Sequence, residues 1–267
     1  MAEELRLDTL LVQRGLISGR DRAKELILSG LVLVNGKTAE KPAQKVREDA
    51  SLSVLGNHAH FVSRGAHKLE KALDSWKIDL SERIILDVGA STGGFTQLAL
   101  ERGAKRVYAV DVGRDQLAPV LQRDNRVLDL QQTDIRSLLP EQLPEKPDFA
   151  VCDVSFISLR LVLPAIRRLL DGNGQAVILI KPQFEAGKDR VGRGGLVKDP
   201  KVHLAVLQDM MTVFPQSGFS VAAMTDSPIR GGDGNIEYLA WLRPGVCAKI
   251  NLSELVKAAQ ERHRNQA

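Results

Sequence analysis

Cysteine is nearly missing from these 267 residues: only Cys152 and Cys247 occur. Two thiols imply no disulfide framework. Long apolar runs are missing too. No stretch of about 18 uncharged apolar residues exists, so no transmembrane helix is expected. The opening "MAEELRLDTL" is charged from residue 3 and lacks the apolar core of a signal peptide. A cytoplasmic location is the default expectation. The five histidines include one close pair, His58 and His60, with no cysteine or acidic cluster beside it. No metal site is expected there. Neither sign of charge dominates. Lys and Arg number 37 against 33 Asp and Glu, a net +4 with a pI near 9.1. That balance permits a polyanionic partner without demanding one.

What is present is an ordinary globular composition, 43% apolar and 26% charged. The length suits one large domain or one medium domain plus a small one. Residues 1–58 read as a small unit of helices and strands. Leu7, Leu10 and Leu11 fall at helical spacing. Ser18 is placed as the N-cap of a second helix, with Asp21 three residues on and Gly30 as its stop. Ala23, Leu26 and Ile27 share its apolar face. "LVLVNGKTA" reads as a strand entering an Asn35-Gly36 turn, and "ASLSVL" as a last short strand. Arg20, Arg22 and Lys24 crowd the start of the second helix, and Lys37 follows the turn. Residues 1–55 hold nine basic and eight acidic side chains. Clustering, not net charge, is therefore the signal, and a solvated mixed-charge face is its alternative reading.

A linker at 59–65 leads to a second domain at 66–245, followed by a helical tail at 246–267. Buried strands are expected at 83–89, 106–113, 126–134, 147–156 and 175–182. Helices are expected at 93–103, 159–174 and 199–218, the last with Asp199 as N-cap and Pro200 at its first position. "FSVAAMTDSP" and "NIEYLAWLR" read as closing strands. This alternation predicts a doubly wound, Rossmann-like α/β sheet whose ligands bind beyond the carboxyl ends of its strands.

The first strand runs into "DVGASTGGF". Gly89, Gly93 and Gly94 allow a tight turn and close approach of a ligand. Asp111 ends the second strand, where a carboxylate can accept from both hydroxyls of an adenosine ribose. A dinucleotide fingerprint needs a middle glycine, and Ser91 stands in its place. Asp87 also fits poorly beside a pyrophosphate. It suits an ammonium-bearing amino-acid tail, which S-adenosylmethionine has. Asp134, ending the third strand, is placed to reach the adenine amino group. A plain tight turn is the alternative.

"CDVSFIS" sets Asp153 at the end of the fourth strand, and "LIKPQFE" sets Lys181 at the end of the fifth. Ionised groups are costly to bury without a partner. Neighbouring strands would project both side chains over one cleft. Lys68 lies on a helix before the first strand, and Glu237 enters the last strand. Taken singly, these read as a structural ion pair, a surface lysine and an edge-strand charge. Next to Lys181, "FEAGKDRVGRGGLVKD" carries four glycines with Lys188, Arg190, Arg193 and Lys198. It reads as a mobile basic loop over the cleft, or as a disordered connection.

Arg-x-x-Ala at 20–23 followed by "LILSGLVLVNGK" resembles the small RNA-binding domain named for ribosomal protein S-four, over most of residues 5–55. "VSRGAHKL", "DVGASTGGFT", "CDVSFISL", "LIKPQFE" and "GNIEY" extend the likeness to nearly the whole chain. The chain resembles the TlyA family, which joins that domain to an FtsJ-like ribose 2′-O-methyltransferase and whose members are often labelled haemolysins. The resemblance implies S-adenosylmethionine as cofactor and cytidine riboses of ribosomal RNA, in one or both subunits, as substrate. It implies RNA contacts from Arg6, Arg20, Arg22, Lys24, Lys37, Arg64, Lys188, Arg190 and Arg193, largely to phosphates and by shape. The family's catalytic tetrad carries over onto Lys68, Asp153, Lys181 and Glu237 with no substitution. A ribose hydroxyl needs a base, and a lysine becomes one only when burial or a second ammonium lowers its pKa. Lys181 is expected as that base, with Lys68 helping to keep it neutral. An RNA-binding assembly factor with an inert methyltransferase fold, a base methyltransferase and a membrane-active protein remain as rivals.

Overall fold

The computed structural model describes residues 4–17, 19–28, 30–54, 60–245 and 248–264. They divide into two compact units, Met1–Arg64 and Gly65–Ala267. Ser18, His58, Cys247, the expected end of the first domain at 58 and the start of the linker at 59 lie outside the described residues. So does the side chain of Arg22.

In the first unit, β1 (Glu4–Arg6) leads directly into α1 (Leu7–Gln13), and α2 spans Arg20–Leu28. The strands β2 (Val32–Val34), β3 (Lys37–Thr38), β4 (Lys45–Arg47) and β5 (Leu52–Val54) form two small antiparallel sheets, ordered β3-β2-β5 and β1-β4. Asn35 and Gly36 both take positive φ, 52° and 77°, as a tight hairpin turn requires. The Asn35 carboxamide also accepts from Ser51 N–H at 2.9 Å. Leu7, Leu10, Leu11, Ala23, Leu26, Ile27 and Val32 fill the core. The sequence reading missed β1 and β4. Three-residue strands carry too few alternations to show a period.

The second unit opens with α3 (Ala66–Trp76), which carries Lys68. Parallel strands follow: β6 (Ile84–Val88), β7 (Arg106–Val110), β8 (Val127–Leu130), β9 (Phe149–Cys152) and β10 (Gln175–Ile180). Helices α4 (Gly94–Glu101), α5 (Pro119–Gln122), α6 (Leu159–Leu169), α7 (Pro182–Glu185) and α8 (Pro200–Gln216) connect them or follow the last. Asp199 caps α8, accepting from Lys201 N–H at 2.9 Å. Two antiparallel strands, β11 (Ser220–Asp226) and β12 (Tyr238–Arg243), finish a seven-stranded sheet in the order β11-β12-β10-β9-β6-β7-β8. Every residue of β6 and β9 is buried, as parallel strands covered on both faces must be.

The order reverses between β6 and β9, and a crevice opens beyond their carboxyl ends. The third strand is shorter than expected. It stops at Leu130, so Asp134 lies in the loop after it. The expected tail is a helix, α9 (Leu252–Arg264), whose Val256 and Ala259 join the unit's main core. Among the described residues, no helix is long and apolar enough to cross a membrane.

Candidate active site

Lys68, Asp153, Lys181 and Glu237 meet above the ends of β9, β10 and β12. Lys68 Nζ donates to Glu237 Oε2 at 2.8 Å and to Asp153 Oδ2 at 3.1 Å. Lys181 Nζ lies 2.7 Å from the other oxygen of Asp153, as a contact ion pair. Its directed hydrogen bond goes to Ser155 Oγ at 2.8 Å. Both lysines are 7% exposed and Glu237 is 2% exposed. Burial alone would pull the Lys68 pKa down, but the charges of Asp153 and then Glu237 outweigh it, and the net direction is up. Burial likewise opposes ionisation of Asp153, yet Lys68 and Lys181 hold its carboxyl below the usual range. Lys68 is thus a firm cation shared by two carboxylates. Lys181 has one carboxylate and one hydroxyl.

Local structure explains the convergence. Lys181 is the last extended residue before α7, whose first position is Pro182. Glu237 immediately precedes β12, and Gly231 packs against its carboxylate, where a Cβ would overlap Oε1. Gly89 has φ +83°, and a Cβ there would come within 2.7 Å of the Asp153 carbonyl oxygen. Only glycine lets the first loop lie so close to the residues that follow β9.

Two cavities meet at Phe156 and Ile157, and Asp153 lines the first of them. One, of about 450 Å³, is lined by Gly89, Ser91, Asp111, Asp134, Asp153 and Phe156 among others. Asp111 accepts from Ser91 N–H at 2.8 Å and from Gly113 N–H at 2.7 Å. Its remaining lone pairs are left for a ligand. The Asp134 carboxylate is forked by Arg136, with Nε 3.0 Å away. Asp87 does not line this cavity. It is fully buried in β6, where one oxygen accepts from Thr96 Oγ1 at 2.6 Å. The other, Oδ1, has no hydrogen-bond partner. Burial pushes the Asp87 carboxyl up to about 7. Gly93 and Gly94 also stay outside the cavity lining. Gly93 caps α4 at φ 94°, and Gly94 is that helix's first residue.

The second cavity, about 420 Å³, is lined by Phe156, Ile157, Ser158, Gln183, Phe184, Gly187, Lys188 and Val191. The reading of the residues did not single out Ser155 and Phe156. Phe156 is 89% exposed, has φ +64°, and sets its ring 5.1 Å from that of Phe184. A bulky residue held in that backbone region is an outlier that points to function. The only sequence signal was an apolar ring closing the expected strand 147–156, four residues past Cys152, where β9 stops.

The basic segment is less free than expected. Lys188–Arg190 and Arg193–Gly195 form short 3₁₀ turns. The carboxamide of Asn235 accepts from Val197 N–H at 2.9 Å and donates to the Gly195 carbonyl at 2.8 Å. His203 Nε2 donates to the Val197 carbonyl at 2.9 Å, and the Tyr238 hydroxyl lies 3.0 Å from its Nδ1. The loop's second half is therefore pinned beside Glu237. Cys152, next to Asp153, is no nucleophile: burial pushes its thiol up to about 12. Among the described residues, no cluster of three or more potential ligands is placed to hold a metal.

In the first unit, Arg6 forks the buried Asp8 at 2.8 and 3.0 Å, and Arg20 lies 3.6 Å from the same carboxylate. Lys24 pairs with Asp21 at 2.8 Å. Lys37 is exposed on β3. Arg64 closes the unit.

Residues 61–244 match the FtsJ-like methyltransferase family, and residues 5–52 match the S4 domain. A Mycobacterium tuberculosis protein named 16S/23S rRNA (cytidine-2′-O)-methyltransferase TlyA is 44% identical over 244 residues, covering 91% of each chain. A structure from Streptococcus thermophilus, titled as a hemolysin, is 40% identical with a TM-score of 0.80, over 99% of this chain and 98% of that one. A structure from Listeria monocytogenes, titled as an S-adenosylmethionine dependent methyltransferase, is 14% identical with a TM-score of 0.51. It covers 68% of this chain and 99% of that one, and shows the fold alone. The domain pair and the near full-length likeness together place the chain in the TlyA family of FtsJ-like methyltransferases.

Proposed function

We propose that this chain is an S-adenosylmethionine-dependent methyltransferase acting on the 2′-hydroxyl of cytidine in ribosomal RNA. The observation that carries the reading is the buried lysine-carboxylate tetrad whose Asp153 also lines a cavity with Asp111 and the glycine loop, a cavity joined at Phe156 and Ile157 by a second one that holds two phenylalanines and a lysine.

The residues of the first cavity fit the cofactor. Asp111, already fixed by two backbone donors, accepts from the ribose hydroxyls. Asp134 lies on the adenine side. Gly89 lets the loop come close, with Ser91 beside it. Asp87 lies buried behind this lining, and its orphaned Oδ1 is the acceptor that the ammonium of the amino-acid tail would have to reach on binding. When bound, the cofactor supplies an electrophilic methyl on a sulfonium sulfur. Every other task falls to the chain. Phe156 offers a face against which an unstacked base rests. Lys181 Nζ takes the proton of the 2′-hydroxyl. Lys68, held charged by Glu237 and Asp153, occupies one oxygen of the Asp153 carboxylate and leaves the other to Lys181. Asp153 fixes both lysines, and Ser155 orients Lys181. Placing hydroxyl and methyl in line contributes much of the rate.

Arg6, Arg20, Arg22, Lys24, Lys37 and Arg64 of the first unit, with Lys188, Arg190 and Arg193, supply phosphate contacts. Ribosomal subunits are then the partner and the cytoplasm the place of action. Incubating the protein with labelled S-adenosylmethionine and purified subunits tests this. The label should enter RNA at sites where the next phosphodiester resists alkali, because the 2′-oxygen is blocked. Label at alkali-sensitive nucleotides would instead mark a base methyltransferase.

A further inference from the structure

The tetrad has a second ion-pair cluster behind it. On α3, Lys71 stands one turn beyond Lys68. Its Nζ donates to the backbone oxygen of Asp226 at 2.9 Å and lies 3.4 Å from the carboxylate. Asp226 is 1% exposed, ends β11, and pairs across the ladder with Tyr238, the neighbour of Glu237. The next residue, Ser227, donates its N–H to the Glu237 carbonyl at 2.8 Å. The two lysines of α3 therefore reach adjacent points on one pair of strands.

Helix α9 closes on the same carboxylate from another side. Arg262 Nε and His263 Nε2 lie 3.4 and 3.5 Å from Asp226 Oδ2. His263 Nε2 also donates to the Ser227 carbonyl at 3.0 Å. Arg230, in the loop between β11 and β12, donates to the carbonyls of His263 at 2.6 Å and Gly234 at 3.0 Å. That loop holds Gly231, which backs the Glu237 carboxylate.

Lys71, Asp226, Arg262 and His263 line neither of the two cavities. As a source of stability the cluster is a poor choice, since buried ion pairs roughly break even against apolar packing. Its geometry is more informative. A helix held to a sheet edge at one side chain can roll about its axis. Held at two side chains one turn apart, it cannot. We propose that Asp226, gripped by Lys71 from α3 and by Arg262 and His263 from α9, is a positioning residue that fixes the Lys68–Glu237 pair, so that the C-terminal helix acts as part of the catalytic apparatus. The activity readout of this proposal rests on the methyltransferase reading.

The test uses the full chain with Lys71→Gln, Asp226→Asn and Arg262→Gln, and Lys71→Arg as a rescue. Single-turnover methyl transfer to rRNA, calorimetric cofactor affinity and the NMR signal of the ¹⁵N-labelled Lys68 ammonium are recorded. Lys71→Gln and Asp226→Asn should slow transfer by roughly tenfold to a hundredfold, as a displacement of about 1 Å distant from the chemistry can. Arg262→Gln should slow it less. Cofactor affinity should be unchanged, the Lys68 signal should move, and the Lys71→Gln/Asp226→Asn double variant should be no slower than the worse single. Lys71→Arg should restore most of the rate. If Asp226→Asn does not fold, Lys71→Gln and Arg262→Gln decide. An unchanged rate and an unchanged Lys68 signal in those two folded variants would overturn the proposal, even if their Tm falls. Should wild-type protein transfer no methyl, the methyltransferase reading fails, and the Lys68 signal alone judges the positioning role.

Discussion

Lys68 and Lys181 share one carboxylate, Asp153, but not one environment. Lys68 is bound by a second carboxylate, whereas Lys181 has Ser155 Oγ, a group that can follow it through loss of a proton. The proposed division of labour predicts different responses to substitution. Lys181→Ala should keep cofactor affinity and lose methylation by at least about a hundredfold, the scale of general base catalysis. Lys181→Arg keeps the charge beside Asp153 but holds its proton throughout the accessible range. Single-turnover assays should find it nearly as slow as the alanine variant. A largely active arginine variant would reduce the pair to a structural contact. Asp87 offers a pH test. Its carboxyl is raised to about 7 from 3.8, so the folded state holds its proton more tightly than the unfolded chain. This group's contribution to stability is therefore greatest below its unfolded pKa and is lost as pH rises through about 7. A cationic cofactor tail has the opposite preference, because it favours the carboxylate. Calorimetry should show affinity falling as pH drops below about 7, with proton release on binding. Asp87→Asn should abolish that dependence, and a flat wild-type profile would remove Asp87 from contact with the ammonium.

Among the elements, the segment between α7 and α8 departs most from expectation. Its glycines suggested a mobile loop, and local sequence held no sign of its anchors. Asn235 lies 38 positions from Val197 along the chain, and such a tie is invisible to any window-based reading. Asn235→Ala should leave the Val197 N–H unsatisfied, at a cost of about 1–3 kcal/mol. It should raise the KM for RNA and speed proteolytic cleavage between Gly187 and Val197, with cofactor affinity intact. Asn235→Asp retains the acceptor but sets an unpaired buried carboxylate against the Gly195 carbonyl, so it should loosen the loop at least as much. Equal protease resistance in all three proteins would show that the clamp does not hold the loop. The elements that were legible had repeated signals: the unbroken apolar runs of β6, β9 and β10, and Asp199-Pro200 opening α8. The missed ones are short: β1 and β4 span three residues each, α5 and α7 four. The tetrad was legible because a lone charge ending an apolar run is costly and therefore conspicuous. Ser155 and Phe156 carried no such contrast. The Asp226 cluster was hidden because its members come from α3, β11 and α9, and each alone reads as an ordinary charge.

Across the whole molecule, the two units separate the proposed tasks. All four tetrad residues and every proposed cofactor contact lie in the second unit, Gly65–Ala267. A chain beginning near Ser63 should bind S-adenosylmethionine like the full chain, while its affinity for rRNA should drop and weaken less steeply with salt, since fewer phosphates are neutralised. Undiminished rRNA methylation by that shortened chain would show that the first unit is not the RNA handle. The most direct measurement for the account as a whole is mass spectrometry of rRNA nucleosides from cells carrying the wild-type chain, the Lys181→Ala chain or neither. The account predicts 2′-O-methylcytidine that is present with the wild-type chain and missing in the other two. The same 2′-O-methylcytidine level in all three, or a methyl group found on a base, would contradict it.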